Sequence, residues 1–183
     1  MNLEGLTSDF FTLFSLPPVF HISLAALEER YLALQRETHP DRFANAPEKT
    51  RRLSMQLAAR INEGYQTLKQ PLSRALYLLE RPGVNSGVND RHALPTEFLM
   101  EQMEWREGIA KARAGGNAHE LERLYERLKQ DLAKHYQTLG TLLDEKLDYP
   151  GAADLARRLM FLEKLRDEIR EALFDLEDET RHD

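Results

Sequence analysis

The chain has no cysteine among its 183 residues. That excludes disulfides, thiolate ligation of zinc or of an iron–sulfur cluster, and a cysteine nucleophile, and it fits a reducing compartment. Glycine is scarce, at nine residues, which favours helices over turn-rich β architectures. No apolar run exceeds a few residues, far too short to span a bilayer, so no membrane association is expected. The opening MNLEGLTSDFF has no basic segment and no long apolar stretch, so neither a secretion signal nor a transit peptide is expected. A basic surplus is missing too. Residues 1–82 hold ten Lys/Arg against nine Asp/Glu, and the remainder fifteen against twenty-two, for a net charge of −6. Neither half suits a nucleic-acid binder, and the split in charge points to two modules.

What is present is helical periodicity cut by prolines and glycines. Asp9 to Leu16 (DFFTLFSL) is a short apolar segment ended by Pro17-Pro18. A second segment starts at Ser23, a good N-cap, and carries Leu24, Leu27, Tyr31 and Leu34 at helical spacing. It must end near Thr38, because the residue before Pro40 is pushed out of the α region. Periodicity resumes after Pro47 through Leu53, Leu57, Ile61, Tyr65 and Leu68, stops at Gln70-Pro71, and returns in a short helix from Ser73 to Glu80. Residues 83–94 (GVNSGVNDRHAL) lack periodicity and read as a linker. Three longer helices follow: Pro95 to about Ala114, about Asn117 to Leu143, and about Gly151 to Asp178, with an acidic end, EDETRHD, expected to fray. No period-2 strand stands out. The expected fold is all-α, a helical hairpin with short flanking helices in residues 1–82 and a three-helix bundle in residues 95–183.

Catalytic signatures fail. There is no G-x-S-x-G, P-loop or G-x-G-x-x-G. His119-Glu120 begins like a zincin helix, but Arg123 stands where the second histidine is needed. The six histidines are scattered, so no metal site, cofactor or catalytic residue is expected.

Two features remain. The first is His39-Pro40-Asp41, in the loop between two amphipathic helices. Proline fixes φ, so the loop loses little entropy on docking. A carboxylate beside it can pair with a partner arginine. The second is the helix after Pro95. At about 100° per residue, Phe98, Trp105, Ile109 and Ala112 form one stripe, while Leu99, Met100, Met103, Glu104 and Glu107 fall opposite. One helix of a three-helix bundle cannot bury both faces within it. The second face is left for a protein partner or for the other module.

The HPD tripeptide in this setting resembles a J-domain, the module that stimulates ATP hydrolysis by DnaK-type chaperones. DFFTLFSLP, HPDRF, INEGYQTLKQPLSRALYLLE, EFLMEQMEWRE and LMFLEKLRDEI together look like the HscB-type co-chaperones of iron–sulfur cluster assembly, from Asp9 to about Leu176. The resemblance implies that His39, Pro40 and Asp41, with Arg36 and Arg42 nearby, engage a specialised chaperone ATPase of the HscA type. It also implies that Leu99, Met100, Met103, Glu104, Glu107 and Phe161 bind the IscU-type scaffold protein. A monomeric, bacterial, cytoplasmic adaptor with no catalysis of its own is expected. One departure stands out. Where J-domains commonly have a strongly basic second helix, residues 23–38 hold only Arg30 and Arg36 beside Glu28, Glu29 and Glu37. Electrostatic steering there should be weak, or shared with Arg42, Lys49, Arg51 and Arg52. Two other readings stay open: a J-protein for another client, and a helical interaction protein in which HPD is only a turn.

Overall fold

The computed structural model describes residues 7–43, 45–86 and 96–182. The described residues are helical, with no strand among them. None of these helices is long and apolar enough to cross a membrane. The chain divides into two compact units, Met1–Val84 and Asn85–Asp183. Most of the expected linker, from residue 87 on, lies outside the described residues.

The first unit contains α1 (Phe10–Leu13), α2 (Leu24–Thr38), α3 (Glu48–Lys69) and α4 (Pro71–Leu79). Asp9 caps α1, its carboxylate accepting from the Phe11 and Thr12 amides and from the Thr12 hydroxyl at 3.0, 3.2 and 2.7 Å. Only four residues are helical here, because the chain turns through Ser15, at a φ of 54°, before Pro17. That turn drives Phe10, Phe11 and Phe14 into the core. Phe10 stacks on Tyr77 at 4.8 Å, and its amide donates to the Tyr77 hydroxyl. Gly64 of α3 makes this possible. A Cβ there would stand 2.8 Å from Phe10 Cδ1 and 3.0 Å from Phe14 Cε2.

α2 and α3 form the hairpin, with Ser23 capping α2 as its sequence position requires. Tyr31 stacks face to face on Tyr65 at 4.0 Å, and its hydroxyl donates to Asn62. Leu27 is fully buried, whereas Leu24, expected on the same stripe, is exposed at the helix's first turn. α4 begins two residues earlier than the apolar pattern indicated, because Pro71 occupies the first turn, where its missing N–H costs nothing. Arg74 is buried and donates to the carbonyls of Phe20 and Leu68, which ties α4 to the end of α3.

The second unit is a bundle of α5 (Thr96–Ala114), α6 (Ala118–Gly140) and α7 (Tyr149–His182). The α5–α6 turn needs the left-handed Gly116, at a φ of 59°, and Asn117 then caps α6. α6 loosens into a π turn over Thr141–Lys146, which ends in left-handed Leu147. The α-helix therefore stops short of Leu143, whose side chain is nonetheless buried. α7 is helical as far as His182, further than the acidic composition of its end indicated. Its core stripe adds Ala152, Ala153, Ala156 and Ala172 to Leu159, Leu162, Leu165 and Ile169.

Two stability outcomes follow. Gly64→Ala should lower the melting temperature. Its gain of about 1 kcal/mol in helix propensity is outweighed by overpacking of about 1–3 kcal/mol against the two phenylalanines. For Asp9, burial acts to raise the carboxyl pKa but is outweighed by the Thr12 side-chain and backbone bonds, the Arg81 charge and the Phe11 amide, which hold it below the usual range. A depressed pKa gives stability that is present above the unfolded value and lost as pH falls through the folded one. Asp9→Ala should cost about 1 kcal/mol at neutral pH, and the gap to wild type should close under acid, as read by urea melts.

Candidate functional site

The His39–Asp41 turn is built by the ending of α2. Thr38 is buried, with its hydroxyl turned back to the Leu34 carbonyl at 2.8 Å. His39 leaves the helix at φ −55° and ψ 131°, the extended conformation that a following proline demands. Residues Pro40–Phe43 then form a single 3₁₀ turn, in which the Arg42 amide donates to the His39 carbonyl at 3.0 Å. This short helical turn stands where the sequence indicated an irregular loop, and it fixes the backbone on both sides of Asp41.

The side chains of His39, Asp41 and Arg42 face water. The Asp41 amide donates to Nδ1 of His39 at 3.3 Å. The Asp41 carboxylate lies 3.5 Å from the same nitrogen and is 89% exposed. Arg42 folds back to donate to the Arg36 carbonyl at 3.2 Å, so both arginines border the turn. Beneath them runs an open groove of about 750 Å³, lined by Leu32, Gln35 and Arg36 of α2, His39 and Arg42 of the turn, and Ala58 and Asn62 of α3. An outward carboxylate on a backbone held by its own hydrogen bonds is an arrangement for recognising a cation, with little left to order on binding. Among the described residues no three His, Asp or Glu side chains converge to hold a metal.

The second site lies on α5. Phe98, Trp105, Ile109 and Ala112 are buried, as their stripe requires. Leu99, Met100 and Met103 are exposed by 44%, 59% and 71%, with Glu104 and Glu107 exposed beside them. Phe161 of α7 is half-buried and meets Phe98 edge-on, ring centroids 5.7 Å apart. The Arg106 guanidinium lies 5.8 Å from the Phe161 ring. The five α5 residues therefore share one face, and Phe161 reaches its edge through Phe98 and Arg106. A bond of 2.5 Å from Arg158 to Glu101 pins α7 to α5 at the same level. Periodicity exposed the α5 face but gave no sign of these cross-helix contacts, which depend on the register between α5 and α7.

Comparison with known proteins adds a consistent set of relatives. A family described as the HSCB C-terminal oligomerisation domain matches residues 94–179. The co-chaperone protein HscB homolog of Aromatoleum aromaticum is 49% identical over 172 residues, 94% of this chain and 97% of that protein. The homolog from Azoarcus sp. is 51% identical with the same coverage. Among solved structures, the chaperone HscB from Vibrio cholerae superposes with a TM-score of 0.79 at 34% identity, covering 92% of this chain and 99% of its own. The human co-chaperone protein HscB gives 0.82 at 26% identity, covering 90% of this chain and 81% of its own.

The two faces of α5 should separate in a stability assay. Phe98→Ala should cost about 3–5 kcal/mol. Met100→Ser, at an exposed position, should stay within about 0.5 kcal/mol of wild type. Urea melts followed through Trp105, the one tryptophan of the chain, would read both.

Proposed function

The chain belongs to the HscB co-chaperone family, and from that premise we propose that it delivers an IscU-type iron–sulfur scaffold protein to an HscA-type chaperone and stimulates that chaperone's ATPase. The observation that carries the proposal is the presence of two separate exposed faces, one in each unit. The turn at His39, Pro40 and Asp41, bordered by Arg36 and Arg42, is the chaperone-facing element. The patch of Leu99, Met100, Met103, Glu104 and Glu107, with Phe161 at its edge, is the scaffold-facing element.

In this mechanism the protein does no bond-making chemistry. Asp41 offers its carboxylate to a cationic group on the ATPase and biases the partner's conformation, and hydrolysis takes place in the partner. The flexible methionines of α5 mould to the scaffold surface, and Glu104 and Glu107 select basic groups at its rim. Because both faces belong to one chain, a bound scaffold arrives at the chaperone at high effective concentration. One copy carries both faces, so a monomer suffices. The place of action is the bacterial cytoplasm, where iron–sulfur proteins mature. The first unit, residues 1–82, serves as the J-domain, residues 83–94 as the linker, and residues 95–183 as the scaffold-binding bundle.

Two variants should dissociate the activities. His39→Gln should abolish stimulation of ATP turnover and leave scaffold affinity at the wild-type value. Met100→Ala combined with Met103→Ala should weaken scaffold binding by at least tenfold, the loss of about 1.4 kcal/mol or more expected of central apolar contacts, and leave scaffold-independent stimulation intact. Full stimulation by the His39 variant would remove the turn from the mechanism.

A further inference from the structure

We propose that the exposed face of α5 is a redox-sensitive switch: oxidation of Met100 and Met103 to their sulfoxides releases the scaffold, and reduction of the sulfoxides restores binding. The oxidant it answers to is a hydroperoxide. The inference rests on the reading that this face holds the scaffold, and it assigns the regulation of that site.

The composition decides where an oxidant can act. With no cysteine in the chain, its five methionines are its only sulfur. A thioether has no ionised form to govern its reactivity, so solvent access selects among them. Met103 is the most exposed large apolar side chain among the described residues, and Met100 is more exposed than Met160 of α7. Met55 is also open, but it belongs to the first unit. Met100 and Met103 are three residues apart and share one face of α5. With Leu99 they are the large apolar side chains that α5 leaves in water, so two of those three can be oxidised.

The chemistry turns this face from apolar to polar. A sulfur lone pair attacks the terminal oxygen of the hydroperoxide, the O–O bond breaks as the S–O bond forms, and the proton passes to the departing oxygen. One ROOH becomes ROH while one thioether loses two electrons. A methionine sulfoxide reductase with a dithiol reverses the step and yields the thioether, a disulfide and water. The sulfoxide oxygen is a strong acceptor that must give up its water when a partner covers it. Glu104, four residues on from Met100, and Glu107, four on from Met103, only accept hydrogen bonds, so neither carboxylate can satisfy it. The interior stripe of α5 is Phe98, Trp105, Ile109 and Ala112, with no methionine in it. Oxidation therefore acts on the contact and spares the fold.

The test treats the intact chain with hydrogen peroxide, removes the peroxide, and titrates an IscU-type scaffold by calorimetry. Each protein is compared with itself before and after treatment, and mass spectrometry counts the oxygens gained by the α5 peptide. Wild type should gain oxygen at Met100 and Met103 and lose scaffold affinity about tenfold or more. Incubation with reductases for both sulfoxide epimers and a dithiol should restore it. Met55→Leu combined with Met160→Leu keeps the α5 pair and should lose as much as wild type. Met100→Leu combined with Met103→Leu keeps Met55 and Met160, and its affinity, whatever its starting value, should not change on treatment. Urea melts read through Trp105 should be the same before and after oxidation. An α5 peptide that gains no oxygen, an oxidised wild type that binds as before, or a loss abolished by Met55→Leu with Met160→Leu would overturn the inference. Failure of the untreated wild type to bind scaffold would instead remove the reading beneath it, and the inference with it.

Discussion

A three-helix bundle can bury one face of each helix, and α5 carries apolar side chains on two. That mismatch governs the second unit. Phe98, Trp105, Ile109 and Ala112 take the interior, and Leu99, Met100 and Met103 are left in water. Nothing in folding rewards an exposed cluster of this kind, and such clusters commonly mark a contact with another protein. The same helix also explains why the interior packs as it does. Once α5 has spent its aromatic residues inward, α7 meets it with Phe161 against Phe98 and with the Arg158–Glu101 pair. The alanines of α7 are buried with the leucines of its interior stripe.

In the first unit the comparable constraint is a proline at the end of a helix. Pro40 forces His39 into extended backbone, and the chain re-enters a helical turn at once, so Asp41 stands on a short arc fixed at both ends. The rest of the unit holds that arc in place. The Tyr31–Tyr65 stack fixes the sliding of α2 against α3, and Phe10 and Phe14 clamp α3 across Gly64. Arg74 closes the far end through two carbonyl bonds. The His39 and Asp41 side chains are thus exposed on a backbone whose freedom was removed on folding, an arrangement that lowers the entropy cost of any contact they make.

Much of this was legible in the sequence, because helices announce themselves through a 3.6-residue period and prolines mark their ends. The α3 and α5 stripes, the exposure of the Leu/Met face and the break at His39 all follow from those two rules. Other features depend on contacts between elements, which one-dimensional patterns do not carry. The exposure of Leu24 and Met55, the alanine-rich interior of α7 and the approach of Arg106 to Phe161 are of this kind. So is the π turn after α6, where the chain trades regular bonding for the left-handed Leu147 that reverses its direction. The short helical turn at Pro40–Phe43 was hidden for another reason: four residues are too few to show a period.

The central claim is that one chain joins a scaffold-binding face to an ATPase-stimulating turn. Its most direct test is steady-state ATP turnover by an HscA-type chaperone with this protein and an IscU-type scaffold added singly and together. The account predicts that the two together raise turnover well beyond the product of their separate effects. Stimulation that is indifferent to the scaffold, or no stimulation at all, would contradict it.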